Sequence, residues 1–491
     1  MEPDSSRSRL RTPLQLIAAA LTGCVIALIV GVVVILNARQ DLSVWHLADL
    51  DEEFTVASNV SDFASYLELE ARLFRQLDVQ VTATIPVTAE YSLNRFSRTS
   101  LSNPDRWATN WNRSFEWRHS APRAGVLLLH GLSDSPYSMR AIATSLHRSG
   151  ANVIAMRMPG HGTAPSGLLK TRWQDMSAAV RIAARHLRDT TPDAPLYVVG
   201  YSNGGALAIN FALDALRDDA LPRMAGIVLI SPEIGVASAA AFAAWQGRLG
   251  RVLGLEKLAW NDILPEYDPF KYGSFAINAG DLAYRITQHI DSELAKLAGN
   301  DLLKQLPPIL AFQSGVDATV TPAALIHNLF NRLDAGRHEL VLFDINRLTE
   351  IGIFLEQDPK ALFEPLAADS SRHYDLTLIT NESGDSHTAI ATTLAAGSNT
   401  PSHQHDVGEW PAGVYSLSHV ALPISPDDPV YGGPDAEDSP GVQLGNLSFR
   451  GERGVLQVSG TAALRLRWNP FFDYIEMRTL QFMRLDSDAA D

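Results

Sequence analysis

PLYVVGYSNGGALAINFALDAL, residues 195–216, reads as one strand, one turn and one helix. Leu196 to Val199 form a short apolar run bounded by Pro195 and Gly200, the pattern of a strand buried on both faces. A helical pattern opens at Asn203. Between the two lies Gly200-Tyr201-Ser202-Asn203-Gly204, a G-x-S-x-G turn. A turn this sharp leaves no room for side chains at its flanks, hence Gly200 and Gly204. It lifts the Ser202 hydroxyl above the sheet edge, at the start of a helix whose dipole favours negative charge. Gly205 and Ala206 extend the small-residue run and let helix and sheet pack closely.

The same alternation extends outward on both sides. GVLLL (125–129) precedes a helix near 137–149, and NVIAMRM (152–158) precedes one near 174–188. GIVLIS (226–231) follows the helix that opens at Asn203. PILAFQS (308–314), a helix near 321–334 and ELVLFDI (339–345) come later. Fully apolar strands alternating with helices predict a mostly parallel central sheet covered on both faces. Two segments interrupt the pattern. Residues 233–305 carry helical patterns without a clear strand and read as an inserted cap. Residues 381–412 are rich in Ser, Thr, Asn, Gly and Pro and read as a long exposed loop. A strand-like run at 374–380 precedes that loop. Before the core, Ser61 caps a predicted helix through about Leu77, and Trp107, Trp111, Phe115 and Trp117 form an aromatic cluster. At the far end Asn469 and Pro470 open a Phe-rich helix to Met483.

With 491 residues the chain is long enough for two to four units at about 150 residues each. Hydrophobic residues make up 46% and charged residues 19%, which excludes a disordered or collagen-like chain. The net charge of −15 makes nucleic acid a poor electrostatic partner. A single cysteine, Cys24, excludes an intramolecular disulfide and a cysteine-based zinc site. His403 and His405 form an H-x-H pair without a third ligand in view, so a solvated loop is the expectation and no metal site is assigned.

From Leu16 to Leu36 no residue is charged, and a helix of that length spans roughly 30 Å of hydrocarbon. Arg7, Arg9 and Arg11 precede the run. The expectation is one transmembrane helix with the N-terminus cytoplasmic and the rest of the chain outside the cytoplasmic membrane, periplasmic or extracellular. A cleaved signal and a lipoprotein signal ending at Cys24 are the rival readings.

The loop His130-Gly131-Leu132 directly follows GVLLL. Acyl transfer needs two N–H groups aimed at a developing oxyanion, and the backbone N–H groups of Leu132 and Asn203 are the candidates. His130 and His161 read as structural histidines. Together, LLLHGLSDSPYS (127–138), MPGHGTAPSG (158–167), GYSNGG (200–205) and QSGVDATV (313–320) resemble the α/β-hydrolase superfamily. Within it they are most similar to the monoacylglycerol lipase, lysophospholipase and bacterial carboxylesterase group, in a membrane-anchored bacterial branch. The resemblance covers about residues 123–345 and a closing segment near 415–425. It implies the α/β-hydrolase fold with a helical cap, and a division into a 1–12 tail, a 13–37 anchor and a 38–122 leader packed on the core. The core itself is 123–345 with the cap at 233–305, then an insertion with a long loop at 346–412. A closing segment, 413–491, carries the histidine and the last helix.

The resemblance also implies a triad in the order Ser, Asp, His. Ser202 is the nucleophile. Asp317, in the turn after PILAFQS, takes the place of the acid. The base usually follows the last core strand, but Asn346-Arg347-Leu348-Thr349 holds no histidine. His419, in GVYSLSHVALP, is the first choice. His387, in Gly-Asp-Ser-His-Thr, is the alternative, with His373, His403 and His405 behind it. The implied activity is hydrolysis of acyl or lipid-like esters through an acyl-enzyme, with no cofactor. Cleavage of amides or peptides by an aminopeptidase of the same fold, and a non-catalytic envelope scaffold or binding protein, are the competing expectations.

Overall fold

The structure, a computed structural model, describes residues 6–235, 256–299, 301–348, 355–356, 358–446 and 464–486. Its centre is a ten-stranded sheet. The strands are β1 (Phe115–Trp117), β2 (Ala124–Leu129), β3 (Ala151–Met156), β4 (Leu196–Tyr201) and β5 (Gly226–Ile230). Then come β6 (Trp260–Asp262), β7 (Phe275–Ala276), β8 (Ile309–Ser314), β9 (Glu339–Phe343) and β10 (Asp375–Asn381). β11 (Thr388–Leu394) and β12 (Pro401–Glu409) complete the set. The order across the sheet is β1-β3-β2-β4-β5-β8-β9-β10-β11-β12, with β6 and β7 pairing separately. From β3 to β10 every neighbour is parallel; β1, β11 and β12 add antiparallel edges.

The helices are α1 (Ser6–Ala38), α2 (Val44–Leu47), α3 (Phe63–Gln80), α4 (Arg140–Arg148), α5 (Trp173–Thr190) and α6 (Asn203–Ala215). They continue with α7 (Ile277–Leu297), α8 (Pro322–Asn328), α9 (Lys360–Ala368) and α10 (Phe472–Met483). Side chains alternate across the sheet as strand geometry requires. Leu127 and Leu129 face one core, shared with α3, α5, α6 and α7; Val126 and Leu128 face the other, shared with α4 and α10. Every residue of β2, β3, β4, β5 and β8 is buried, which explains their unbroken apolar sequences. This is the α/β-hydrolase fold with its mostly parallel sheet.

Three expectations change. The segment read as a long loop holds β11 and β12. β11 is only half-buried and β12 is almost wholly exposed. An edge strand needs backbone partners but no apolar face, so hydrophobic periodicity cannot reveal it. The expected cap contains the short β6–β7 ladder and α7; residues 236–255 of it lie outside the described residues. Strands of two or three residues are too short to show an alternating pattern.

The third change concerns the membrane. Among the described residues no helix is long and apolar enough to cross one. The transmembrane span at 13–37 is therefore withdrawn. With it go the membrane contact through the N-terminal helix and the assignment of the domain to the outer side of the cytoplasmic membrane. Beyond α1, Arg39 donates to Lys257 O at 3.0 Å and Asn261 O at 2.7 Å, which ties the chain to β6.

The leader is part of the fold. α3 is capped by Asp62, not Ser61: its carboxylate accepts from Ser65 N at 2.8 Å. Phe63, Tyr66, Leu69, Leu73, Phe74 and Leu77 are buried on its inner face. Below it lies Arg157, fully buried, paired with Glu53 at 2.9 Å and Glu70 at 3.2 Å. Glu70 also accepts from Ser114 N and Oγ, and Arg157 donates to His161 O at 3.0 Å. At the other end, Asn469 accepts from Phe471 N at 2.9 Å before α10, which buries Phe472 and Ile475.

A buried charge left without its partner is costly, about 3–5 kcal/mol. Arg157→Ala and Glu70→Ala are each expected to lower unfolding free energy by about that amount, measured by urea titration. Lys170→Ala removes an exposed pair with Asp49 and should leave the midpoint in place.

Candidate active site

The turn between β4 and α6 places Ser202 at φ 52° and ψ −117°, left-handed backbone that a serine adopts only under constraint. The constraint comes from close neighbours. A Cβ at Gly200 would strike Gly204 O, and one at Gly204 would strike Leu129 O. Ser202 N donates to Ile230 O at 3.0 Å, and Ser202 O accepts from Gly205 N at 2.9 Å. The serine side chain emerges above the C-terminal ends of the parallel strands, where open α/β sheets hold their sites.

Asp317 sits in the turn after β8. Its Oδ1 accepts from Thr319 N at 2.8 Å and Val320 N at 3.0 Å. Its Oδ2 accepts from Gln313 Nε2 at 2.8 Å and from His419 Nδ1 at 2.8 Å. Burial pulls this carboxyl's pKa upward most strongly, but the hydrogen bond and charge of His419 and the two backbone N–H groups outweigh it, leaving it below the ordinary carboxylate value. The other imidazole nitrogen of His419 lies 3.0 Å from Ser202 Oγ. Asp317, His419 and Ser202 thus form one hydrogen-bonded line of side chains far apart in the sequence. With Nδ1–H directed at Asp317, Nε2 is free to accept the serine proton.

His419 arrives by an indirect route. After β9 the chain leaves to build α9 and β10–β12, then returns over the end of β9. Asn346 N donates to Tyr415 O at 2.7 Å and Asn346 Nδ2 to Val414 O at 3.0 Å. Ser314 Oγ donates to Leu417 O at 2.8 Å. These bonds pin the histidine loop against the ends of β8 and β9. The position where a base was sought after β9 is instead an anchor for the loop that carries it. His387 lies elsewhere, between β10 and β11, its carbonyl accepting from Trp410 N. The structure does not bring it to Ser202.

The 130–132 loop passes directly beside the serine. A Cβ on Gly131 would lie 3.1 Å from Ser202 Cβ, so the Leu132 backbone runs next to the nucleophile turn. Asn203, at the first position of α6, is the other sequence-derived donor. His130 is occupied on both nitrogens: Nδ1 donates to Gly131 O at 2.8 Å and Nε2 accepts from Met158 N at 3.0 Å. Burial holds it neutral, its pKa well below the ordinary value. Both nitrogens therefore shape the loop.

Two acidic groups beside the site escaped the sequence reading. Asp134 is buried and pairs with Lys271 at 2.9 Å. Glu233, just after β5, accepts from Asn203 Nδ2 at 3.1 Å. Asp134 lies inside the 127–138 motif and Glu233 just after β5, and an acid in either place is too common to single out. Among the described residues no cluster of His, Cys, Asp and Glu fits a metal ion.

Residues 120–345 match the serine aminopeptidase family S33. The chain is 32% identical to a thermostable monoacylglycerol lipase of Bacillus sp. (strain H-257), over 26% of this chain and 48% of that protein. It is 27% identical to the phospholipase YtpA of Bacillus subtilis (strain 168), over 30% of this chain and 52% of that protein. The chain thus spans about half the length of these curated relatives. A solved monoacylglycerol lipase of Paleococcus ferrophilus is 20% identical, with 47% of this chain and 88% of that one covered and a TM-score of 0.35.

Gly204→Ala should destabilise by more than the usual 1–3 kcal/mol or so of overpacking, because backbone stands in the way. Gly280→Ala, in α7 with nothing within 4 Å, should instead stabilise by about 0.5–1 kcal/mol. Thermal unfolding of the two variants checks both signs.

Proposed function

We propose that this chain is a serine hydrolase cleaving carboxylic esters, acyl or lipid-like, through an acyl-enzyme. The observation that carries this reading is the line Asp317–His419–Ser202, with 2.8 and 3.0 Å separations. Lipase names among the relatives support ester substrates.

Ser202 Oγ attacks the acyl carbonyl as His419 Nε2 takes its proton. Asp317 holds the imidazole in the required tautomer and stabilises the imidazolium. The N–H groups of Leu132 and Asn203 receive the oxyanion, helped by the N-terminus of α6. The imidazolium returns its proton to the leaving alcohol. Water, activated by the same histidine, then releases the acid and restores Ser202.

Amide cleavage by the same groups is the second reading, because the matching family is described as an aminopeptidase. It needs the same triad and differs in the leaving group alone.

The test is fluorophosphonate labelling of the full chain, read by mass spectrometry, beside hydrolysis of p-nitrophenyl esters and amino-acid anilides. An adduct on Ser202 is expected, with ester turnover above anilide turnover. Ser202→Ala should abolish the adduct, and His419→Ala should lower kcat by about 10⁴ or more. His387→Ala should retain full activity. A wild-type chain that takes no label and cleaves neither substrate would refute the hydrolase reading.

A further inference from the structure

At the exit of β5 the chain turns through Ser231-Pro232-Glu233 and meets the nucleophile turn at four places. Ile230 O accepts from Ser202 N at 3.0 Å. Pro232 packs on Gly205, where an added Cβ would lie 2.7 Å from the proline Cβ. Glu233 N donates to Ser202 O at 2.9 Å, and Glu233 Oε2 accepts from Asn203 Nδ2 at 3.1 Å. Ser202 and Ser231, one in each of the two turns that meet here, are both left-handed, at φ 52° and 43°. Each such residue costs about 1–3 kcal/mol and persists only where its surroundings hold it.

Three of the four contacts are made by backbone or by a proline ring. Only the fourth uses an ionisable side chain, and that side chain is buried. A carboxyl is expensive to bury without a cation. The titratable groups that face it are the His419 imidazole, itself tied to Asp317, and the Tyr201 hydroxyl. A hydrophobic side chain would fill this place at lower cost but would leave the Asn203 amide unheld.

We propose that Glu233 is a positioning residue for the oxyanion site: its carboxyl holds the Asn203 side chain, and so fixes the Asn203 backbone N–H relative to Ser202. The inference rests on the serine-hydrolase reading above. It also carries a charge requirement. An ionised carboxylate next to Asn203 would oppose the negative charge that develops on the oxyanion, whereas the protonated acid would not. Burial favours the protonated form. Activity therefore falls as pH rises through the ionisation of Glu233.

Glu233→Ala, Glu233→Gln, Asn203→Ala and the Glu233→Ala/Asn203→Ala pair in the full chain test this by steady-state ester hydrolysis across pH. Glu233→Ala should lower kcat about tenfold with KM little changed, a fraction of the roughly 10²–10³ lost with a whole oxyanion donor. Glu233→Gln keeps an acceptor for Asn203 and should recover most of that loss, without the fall in activity on raising pH. Asn203→Ala should match Glu233→Ala, and the double variant should be no worse than either. Unchanged kcat in Glu233→Ala, additive losses in the double variant, or a rise in KM alone would overturn the positioning role. If Glu233→Ala does not fold, the pH profile of Glu233→Gln decides: persistence of the fall seen in wild type overturns the proposal. Fluorophosphonate labelling of wild type separates the two levels. An adduct with failed Glu233 predictions removes only the positioning role, and no adduct together with no turnover removes the hydrolase reading with it.

Discussion

Ser202 stands at φ 52° between β4 and α6, and much of the molecule is arranged around keeping it there. The strain has no local relief, since a serine gains nothing from left-handed backbone. It is held by contact from three directions. Gly200 and Gly204 let β4, α6 and the end of β2 approach to backbone distance. The 130–132 loop lies against it on one side, and the exit of β5 on the other. Those neighbours are strands β2 and β5, which flank β4 in a parallel sheet buried on both faces. The sheet order is therefore what places the walls of the site.

Closure of the line to His419 depends on hydrogen bonds of a different kind. The chain between β9 and His419 is long enough to add three strands to the sheet. Such a detour is cheap in loop entropy, which grows only logarithmically with length. Its ends must still meet. Asn346 and Ser314 make that meeting specific by binding the carbonyls of Val414, Tyr415 and Leu417. Asn346, where a base was expected, anchors the loop that carries His419.

The Arg157 cluster of the leader shows how the cost of burying a charge is offset. Arg157 loses all solvent but gains Glu53, Glu70 and a carbonyl, and both acids have further N–H partners. Gly160 N, at the turn after β3, donates to Glu53, so the same cluster fixes a turn beside the site. That cluster ties the leader to the core.

The sequence by itself determined the elements whose side chains must be apolar or small. The strands 125–129, 152–158, 195–200, 226–231, 308–314 and 339–345 were legible because both their faces are buried. The turn at Ser202 was legible because sterics demand glycine. Asp317 and His419 were legible through the motifs around them, although His419 had rivals that only distance removes. The edge strands β11 and β12 were not legible, because an exposed ladder needs only backbone bonds. The apolar run at 16–36 predicted more than the described residues uphold, since hydropathy along a string does not by itself make a span. Tertiary structure alone decided that His419 and not His387 reaches Ser202, that Asn346 anchors the returning loop, and that Glu233 touches Asn203. The reason is physical: such contacts join residues distant in sequence, and no local periodicity or propensity records which of them will meet.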